Sequence, residues 1–323
     1  MQHRFFALDG MRGAAAISVA VYHFYYSFPG YLAVDFFLVL SGFVLTHKYL
    51  YPTADISARE FIWHRLARLY PLHIFTLVTW TCGYVLYIGS FPSYADGTIW
   101  TFLQHLTLTQ NVGLSPSEIS WNTPSWSISV EFWVNLLFFF LISITTPSYL
   151  LFSVAVGTLF IIYSQSGDLD VSHENFFLVI NSGLLRGIAS FFLGIIAYRG
   201  YRKFLTLKTS AGAASFIEVA LLLAIVATFY FRSSLRSDLD FIAPFLFCIL
   251  VMVYSLERGI VSSLFGKFKW LGDISYSVYL NHFIVIWLLL YIWQNILELE
   301  LESLRSLPMF SLYLILVIVY SKI

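Results

Sequence analysis

Residues 8–26, LDGMRGAAAISVAVYHFYY, decide how this chain is to be read. From Gly13 to Val21 the run is small or aliphatic, as in a helix buried in lipid, yet Arg12 and His23 interrupt it. Eleven residues separate the two. At about 100° per residue that is three turns plus roughly 20°, so both side chains share one helix face, about 16 Å apart along the axis. An ionisable group inside a membrane helix is costly and normally faces protein or a water-filled cavity. Two on one stripe predict a helix that lines a path through the membrane.

Composition supports that reading. The 323 residues are 59% hydrophobic and only 11% charged, with a mean hydropathy of +0.78. A soluble domain carries about 25% charged residues, so the chain is expected to be an integral membrane protein with the lipid bilayer as its solvent. Its formal net charge of zero says nothing about partners, though the distribution of charge along the chain does; as a membrane protein it is expected to have no nucleic-acid partner. Cys82 and Cys248 both fall inside apolar runs, which argues against a disulfide framework or a thiolate zinc site. The first run lacks a small-residue cleavage site and contains Arg12, so it is expected to be a retained helix rather than a signal peptide. No polar tract is long enough for a separate soluble domain, and residues 1–323 read as one transmembrane domain.

Ten apolar runs approach spanning length: 7–27, 32–50, 69–89, 126–145, 149–164, 184–200, 216–232, 241–257, 270–293 and 306–321. The second, fifth and eighth are short or polar enough to be tilted or broken. The fold class is therefore all-α, a polytopic membrane protein of about ten transmembrane helices. With the N-terminus inside, the cytoplasmic segments hold thirteen Lys and Arg residues, among them Lys48, Arg65, Arg68, Arg199, Arg202 and Lys203. The outer segments hold four: Arg186, Arg232, Arg236 and Arg305. The positive-inside rule then puts both termini in the cytoplasm. The outer connections carry acids instead, namely Asp168, Asp170, Glu174, Glu298, Glu300 and Glu302. The longest polar connection, Ser90 to Pro124, falls outside, and its segment Trp100 to Leu108 is expected to lie on the membrane surface.

Several polar residues intrude on these runs. Arg12, about one turn into the membrane, could simply snorkel to the inner interface. His23 lies deeper and can titrate near neutral pH, which suits a general base. In FIWHRLARLYPLH, residues 61–73, Arg65 and Arg68 are three apart and share a face at the inner boundary. Arg forks chelate phosphates well, although the positive-inside rule alone would also put arginines there. His64 and His73 have no Cys or carboxylate at metal spacing, so no metal site is expected.

In PSWSISVEFW, residues 124–133, Glu131 follows the helix start at Pro124–Ser125 by more than a turn. It is too deep for a first-turn acid favoured by the helix dipole. A second helix should supply its partner, and His23, assigned to the outer half, is the obvious candidate. The stretch VDFFLVLSGFVL, residues 34–45, puts Asp35 at the outer end of its run and Ser41 in the middle. In LGDISYSVYLNHF, residues 271–283, Asp273 stands at the inner entrance and Asn281 and His282 in mid-membrane. Packing accounts for the small residues there but not for a His–Asn pair at that depth.

Taken together, FFALDGMRGAAAISVAVYHF, VDFFLVLSGFVLTHKY, FIWHRLARLYPLH, PSWSISVEFW and LGDISYSVYLNHF resemble, in order and over nearly the whole chain, the acyltransferase family 3 membrane proteins. These acylate extracytoplasmic glycans and some small molecules. The family's Arg-ten residues-His motif falls on Arg12 and His23, its Arg-x-x-Arg motif on Arg65 and Arg68, and its carboxylate on Glu131. The resemblance implies acyl-CoA, acetyl-CoA by family habit, as co-substrate, with no permanently bound cofactor. It also implies a His essential for transfer, an Arg pair engaging the CoA phosphates, and a bacterial cytoplasmic (inner) membrane location. Some relatives carry an extra esterase-like domain after the membrane part. None follows here, so transfer unaided is the expectation, with a short tail missing after the last helix as a further one.

On this reading the pantetheine arm runs from Arg12 toward His23, and His23 deprotonates the hydroxyl of a glycan or small-molecule acceptor. Glu131 orients or stabilises the imidazolium, as in a catalytic dyad. Ser41 and Ser129 are candidate nucleophiles for a covalent route. A secondary transporter or exporter would also line a path with Arg, His and Glu, but it would usually show an inverted repeat with Gly/Pro-broken helices in matching halves, and no such symmetry is visible.

Overall fold

The computed structural model describes residues 3–51, 56–94, 97–114, 121–171, 174–176, 180–234, 237–300 and 305–322. Arg236 and Glu302, counted above, lie outside them. In chain order the helices are α1 (Phe6–Phe24), α2 (Ala33–Tyr49), α3 (Ala58–Ile88), α4 (Thr98–Thr107), α5 (Trp126–Leu141) and α6 (Ser148–Gln165). They continue with α7 (Ser182–Phe204), α8 (Ala211–Ser234), α9 (Ala243–Tyr254), α10 (Ile260–Lys267), α11 (Lys269–Tyr291) and α12 (Leu307–Tyr320). The strands among the described residues are two short pieces, β1 (Asn175–Phe176) and β2 (Ile180–Asn181), paired antiparallel.

Every one of the ten apolar runs becomes a helix, and α4 and α10 are added between them. Seven helical segments are long and apolar enough to cross a bilayer. Of the rest, α1 carries Asp9 and Arg12, α7 carries Arg186, and α12 is 14 residues long. The eighth run is not broken within the span: a 3₁₀ turn, Ser237–Ile242, leads directly into the 12 residues of α9, and the two together make one of the seven segments. The chain is thus an all-α polytopic integral membrane protein. Its two ends meet on one face. Arg4 Nη2 donates to Asp273 near the start of α11 at 2.5 Å, and Lys322 Nζ sits 5.0 Å above the neighbouring Trp270 ring. That face carries most of the Lys and Arg residues, which makes it cytoplasmic.

Two pairs of parallel helices frame the interior, and glycine sets their spacing. α1 and α11 run side by side from the cytoplasmic face, so close that a Cβ on Gly272 would stand 2.2 Å from the Asp9 carbonyl oxygen. α2 and α7 run the other way, and a Cβ on Gly194 would stand 2.0 Å from Val39 O. Lipid tails are as apolar as Leu, so membrane helices gain little from hydrophobicity when they meet; close backbone packing through small residues supplies the attraction.

Near the outer end of α2 and α7, Arg186 and Asp35 form an ion pair at 2.7 Å with side chains only 1% and 0% exposed. Asp35 also accepts from Ser190 Oγ at 2.7 Å, and Arg186 donates to Leu169 O and Tyr31 O at 2.7 and 2.9 Å. Asp240 extends the network, accepting from Leu169 N at 3.1 Å, from Arg232 and from the Tyr31 hydroxyl. This network ties α2 and α7 to the connection after α6. Arg186→Leu is expected to leave Asp35 buried and unpaired and to cost about 3–5 kcal/mol, whereas Arg186→Leu with Asp35→Leu should recover most of that loss. Thermal unfolding in detergent checks this; an unchanged midpoint for the single variant would contradict it.

One expectation fails. Trp100 to Leu108 does not lie on the membrane surface. α4 turns back into the protein: Thr101, Gln104 and His105 are buried. Its end reaches the middle of α3, where Tyr70 Oη donates to Leu106 O at 2.7 Å and His73 Nε2 to His105 O at 2.9 Å. Leu108, in the left-handed region at φ 56°, presents its carbonyl to Ser129 Oγ and Trp133 Nε1 at 2.7 and 2.8 Å. Irregular backbone at this depth is tolerated only when protein satisfies its polar groups, and these side chains do so.

Candidate active site

The re-entrant segment decides where Glu131 lies. α5 does not begin at the outer surface. Asn122 Nδ2, just before it, donates to Leu280 O at 3.3 Å, and Ser127 Oγ donates to the Tyr279 hydroxyl at 2.8 Å. Both partners sit at the middle of α11, so α5 starts at mid-depth and Glu131 falls in the cytoplasmic half.

There it lines a cavity of about 310 Å³ enclosed by α1, α2, α3, α5 and α11. Arg12, Ser41, Arg65, Arg68 and Glu131 all face it, together with Asp273, Tyr276 and Tyr279. Ser41 Oγ lies 3.4 Å from both Glu131 Oε1 and Asn135 Oδ1. Arg12 is clamped in place: its Nε and Nη2 donate to Gly272 O at 3.2 and 2.6 Å, and its Nη2 lies 3.2 Å from Asp9 Oδ1. Arg65 is 6% exposed, and its Nε is buried with no hydrogen-bond partner among the described residues. An anionic ligand would satisfy that donor. Toward the face bearing the termini, the cavity shares Arg12, Arg68 and Asp273 with a second one of about 470 Å³ that adds His3, Arg4, His47 and Lys48. The mouth is therefore rich in cations.

His23 is elsewhere. Its Nδ1 lies 3.0 Å from Val19 O and 3.1 Å from Nε2 of His282, with ring centroids 4.8 Å apart. The expected pairing of His23 with Glu131 is not what the structure forms: the carboxylate lines the inner cavity with the arginines, whereas His23 pairs with His282 and does not line it. Phe37 and Tyr279 both line the cavity, 5.6 Å apart between centroids. His282 follows Tyr279 by one helical turn, at 6.1 Å between rings.

The other candidates separate by position. Asp35 belongs to the Arg186 network and does not line the cavity. Ser129 holds Leu108 O and accepts from Asn111 N at 3.3 Å, which makes it part of the re-entrant scaffold. Asn281 Nδ2 donates to Ser277 Oγ at 2.9 Å. Sequence reasoning missed the link from His282 to His23 and the cavity role of Tyr276 and Tyr279. One signal was available: Ser275, Tyr279 and His282 are spaced four and three apart, as are residues on one helical face. Among the described residues no group of three or more His, Cys, Asp or Glu is arranged to hold a metal ion.

Fold and cavity together define a polytopic membrane protein with an arginine-lined pocket reaching inward from its basic face. The chain belongs to acyltransferase family 3: the family's Acyltransferase domain model matches residues 5–321. Among curated proteins it is 25% identical over 314 residues to peptidoglycan O-acetyltransferase OatA of Listeria monocytogenes, covering 87% of this chain and 49% of that one. It is 34% identical over 140 residues to acyltransferase MdmB of Streptomyces mycarofaciens, covering 42% and 33%. It is 41% identical over 102 residues to protein 2 in the picA locus of Rhizobium radiobacter, covering 29% and 53%. The chain thus spans about half or less of the length of these relatives. No solved structure matches it.

Proposed function

We propose that this protein is a membrane O-acyltransferase that takes an acyl group, acetyl in the simplest case, from cytosolic acyl-CoA and passes it to a hydroxyl of an extracytoplasmic acceptor, a sugar of a surface glycan. Residues 1–323 act as a single transmembrane acyltransferase domain. One observation carries the reading: an arginine-lined cavity runs from the cation-rich face up to Tyr279, one turn short of the His282–His23 pair. CoA is a polyanion with a long, slender arm. Its charged end suits the mouth and its arm suits the cavity, with the Phe37 and Tyr279 rings moving aside to admit the thioester. Family membership and the printed names of OatA and MdmB support acyl transfer.

In the reaction, His23 Nε2 takes the acceptor's hydroxyl proton as the oxygen attacks the thioester carbonyl. The C–S bond breaks, and the departing thiolate takes up the proton. Arg65 and Arg68 hold the CoA phosphates, and Glu131, beside them in the cavity, balances their charge. Calorimetric titration with CoA tests the donor site. A charge-assisted hydrogen bond contributes about 1.5–3 kcal/mol, so Arg65→Ala with Arg68→Ala should weaken binding about 10-fold or more. Equal affinity in variant and wild type would sink the assignment. Thioester loss from acetyl-CoA by the purified protein tests the chemistry, since an exporter would consume none.

A further inference from the structure

We infer that His282 is the positioning residue of this transfer: it holds His23 as the Nδ1–H tautomer, so that the Nε2 lone pair is the base. The inference rests on the reading of His23 as general base given above.

Three contacts fix the protons. His23 Nδ1 faces two atoms, Val19 O at 3.0 Å and His282 Nε2 at 3.1 Å. His282 Nδ1 faces Val278 O at 3.3 Å. A backbone carbonyl only accepts, so each ring satisfies its own helix by carrying hydrogen on Nδ1. The His23 Nδ1–H then points between Val19 O and the lone pair of His282 Nε2, and all three contacts are attractive. In the opposite assignment His282 donates from Nε2, and both Nδ1 lone pairs are pressed against carbonyl oxygens. Two of the three contacts become repulsive. The first assignment therefore stands, and it leaves the Nε2 of His23 unprotonated.

Burial makes the arrangement stiff. His282 is 0% exposed on the tightly packed α1–α11 seam, while His23 is half-buried. The edges of Tyr22 and Phe283 hold the His23 ring, with centroids at 4.8 and 5.4 Å. Once Nε2 has taken the acceptor's proton, the imidazolium has a stronger Nδ1–H, and His282 Nε2 is an acceptor already in line for it. This is the part a third group plays in orienting a catalytic base, here taken by a neutral imidazole.

The test compares His282→Phe, His282→Gln and His23→Ala in reconstituted full-length protein, with acetyl-CoA as donor and an N-acetylglucosamine oligosaccharide as acceptor probe. His282→Phe is expected to lower kcat about 10–100-fold, the worth of one charge-assisted hydrogen bond, with KM for acetyl-CoA changed less than about twofold. His282→Gln, whose amide oxygen can accept the same hydrogen, should recover most of the loss. Wild-type kcat in His282→Phe, or equal losses in the Phe and Gln variants, would overturn the positioning role. An active His23→Ala would instead remove the base reading itself. Nitrogen-15 NMR of histidine-labelled wild-type protein provides a check that needs no variant: His23 is expected as the Nδ1–H tautomer, and an Nε2–H signature overturns the inference.

Discussion

His23→Ala is expected to lower acyl transfer by about 100-fold or more, because a general base typically contributes 10²–10⁴-fold. The midpoint of thermal unfolding should stay within about 5 °C of wild type. The side chain is only half-buried, and its polar contacts are one backbone carbonyl and one neighbouring imidazole, so little of the fold hangs on it. Binding of CoA should also survive. His23 does not line the arginine-lined cavity proposed for the donor. A variant that binds CoA normally, unfolds normally and fails to transfer would isolate the chemical step. Retention of more than about a tenth of the rate would show that His23 is not the base.

The second large effect is directional and close to all-or-none. In sealed, uniformly oriented proteoliposomes, acyl-CoA should react only when supplied on the face that bears the two termini. The arginine-lined cavity opens there, and its mouth is shared by Arg4, Arg12, His47, Lys48 and Arg68. The opposite face presents acids, among them Asp168, Asp170 and Glu174, which repel an anionic donor at short range. Raised salt should weaken donor capture, because charges at a water-filled mouth are screened within about 10 Å at 0.1 M. Equal rates with donor on either side would place the donor site wrongly or invert the orientation.

Much of this molecule was legible in its residues. Lipid cannot satisfy a backbone N–H or C=O, so each apolar run had to become a helix, and all ten did. The Lys and Arg bias placed the termini on one face, where Arg4 meets Asp273 and Lys322 meets Trp270. The cost of burying charge marked Glu131, and the shared face of Arg65 and Arg68 and the stripe of Arg12 marked the arginines; all four converge on one cavity.

What the chain alone left open was depth and partnership. A run of apolar residues states that a helix is buried, not where along the membrane normal it begins. Only the fold back of α4 makes α5 start beside Leu280, and that one displacement moves Glu131 from His23's level to the arginines'. The same limit hid the Asp35–Arg186 pair, whose members are 151 residues apart, and the His23–His282 contact, 259 apart. Sequence determines which side chains cannot face lipid, because that penalty is local to each helix. Which of them face one another depends on how close the helices approach, and here glycines such as Gly272 and Gly194 decide it by letting α1 meet α11 and α2 meet α7 at backbone contact.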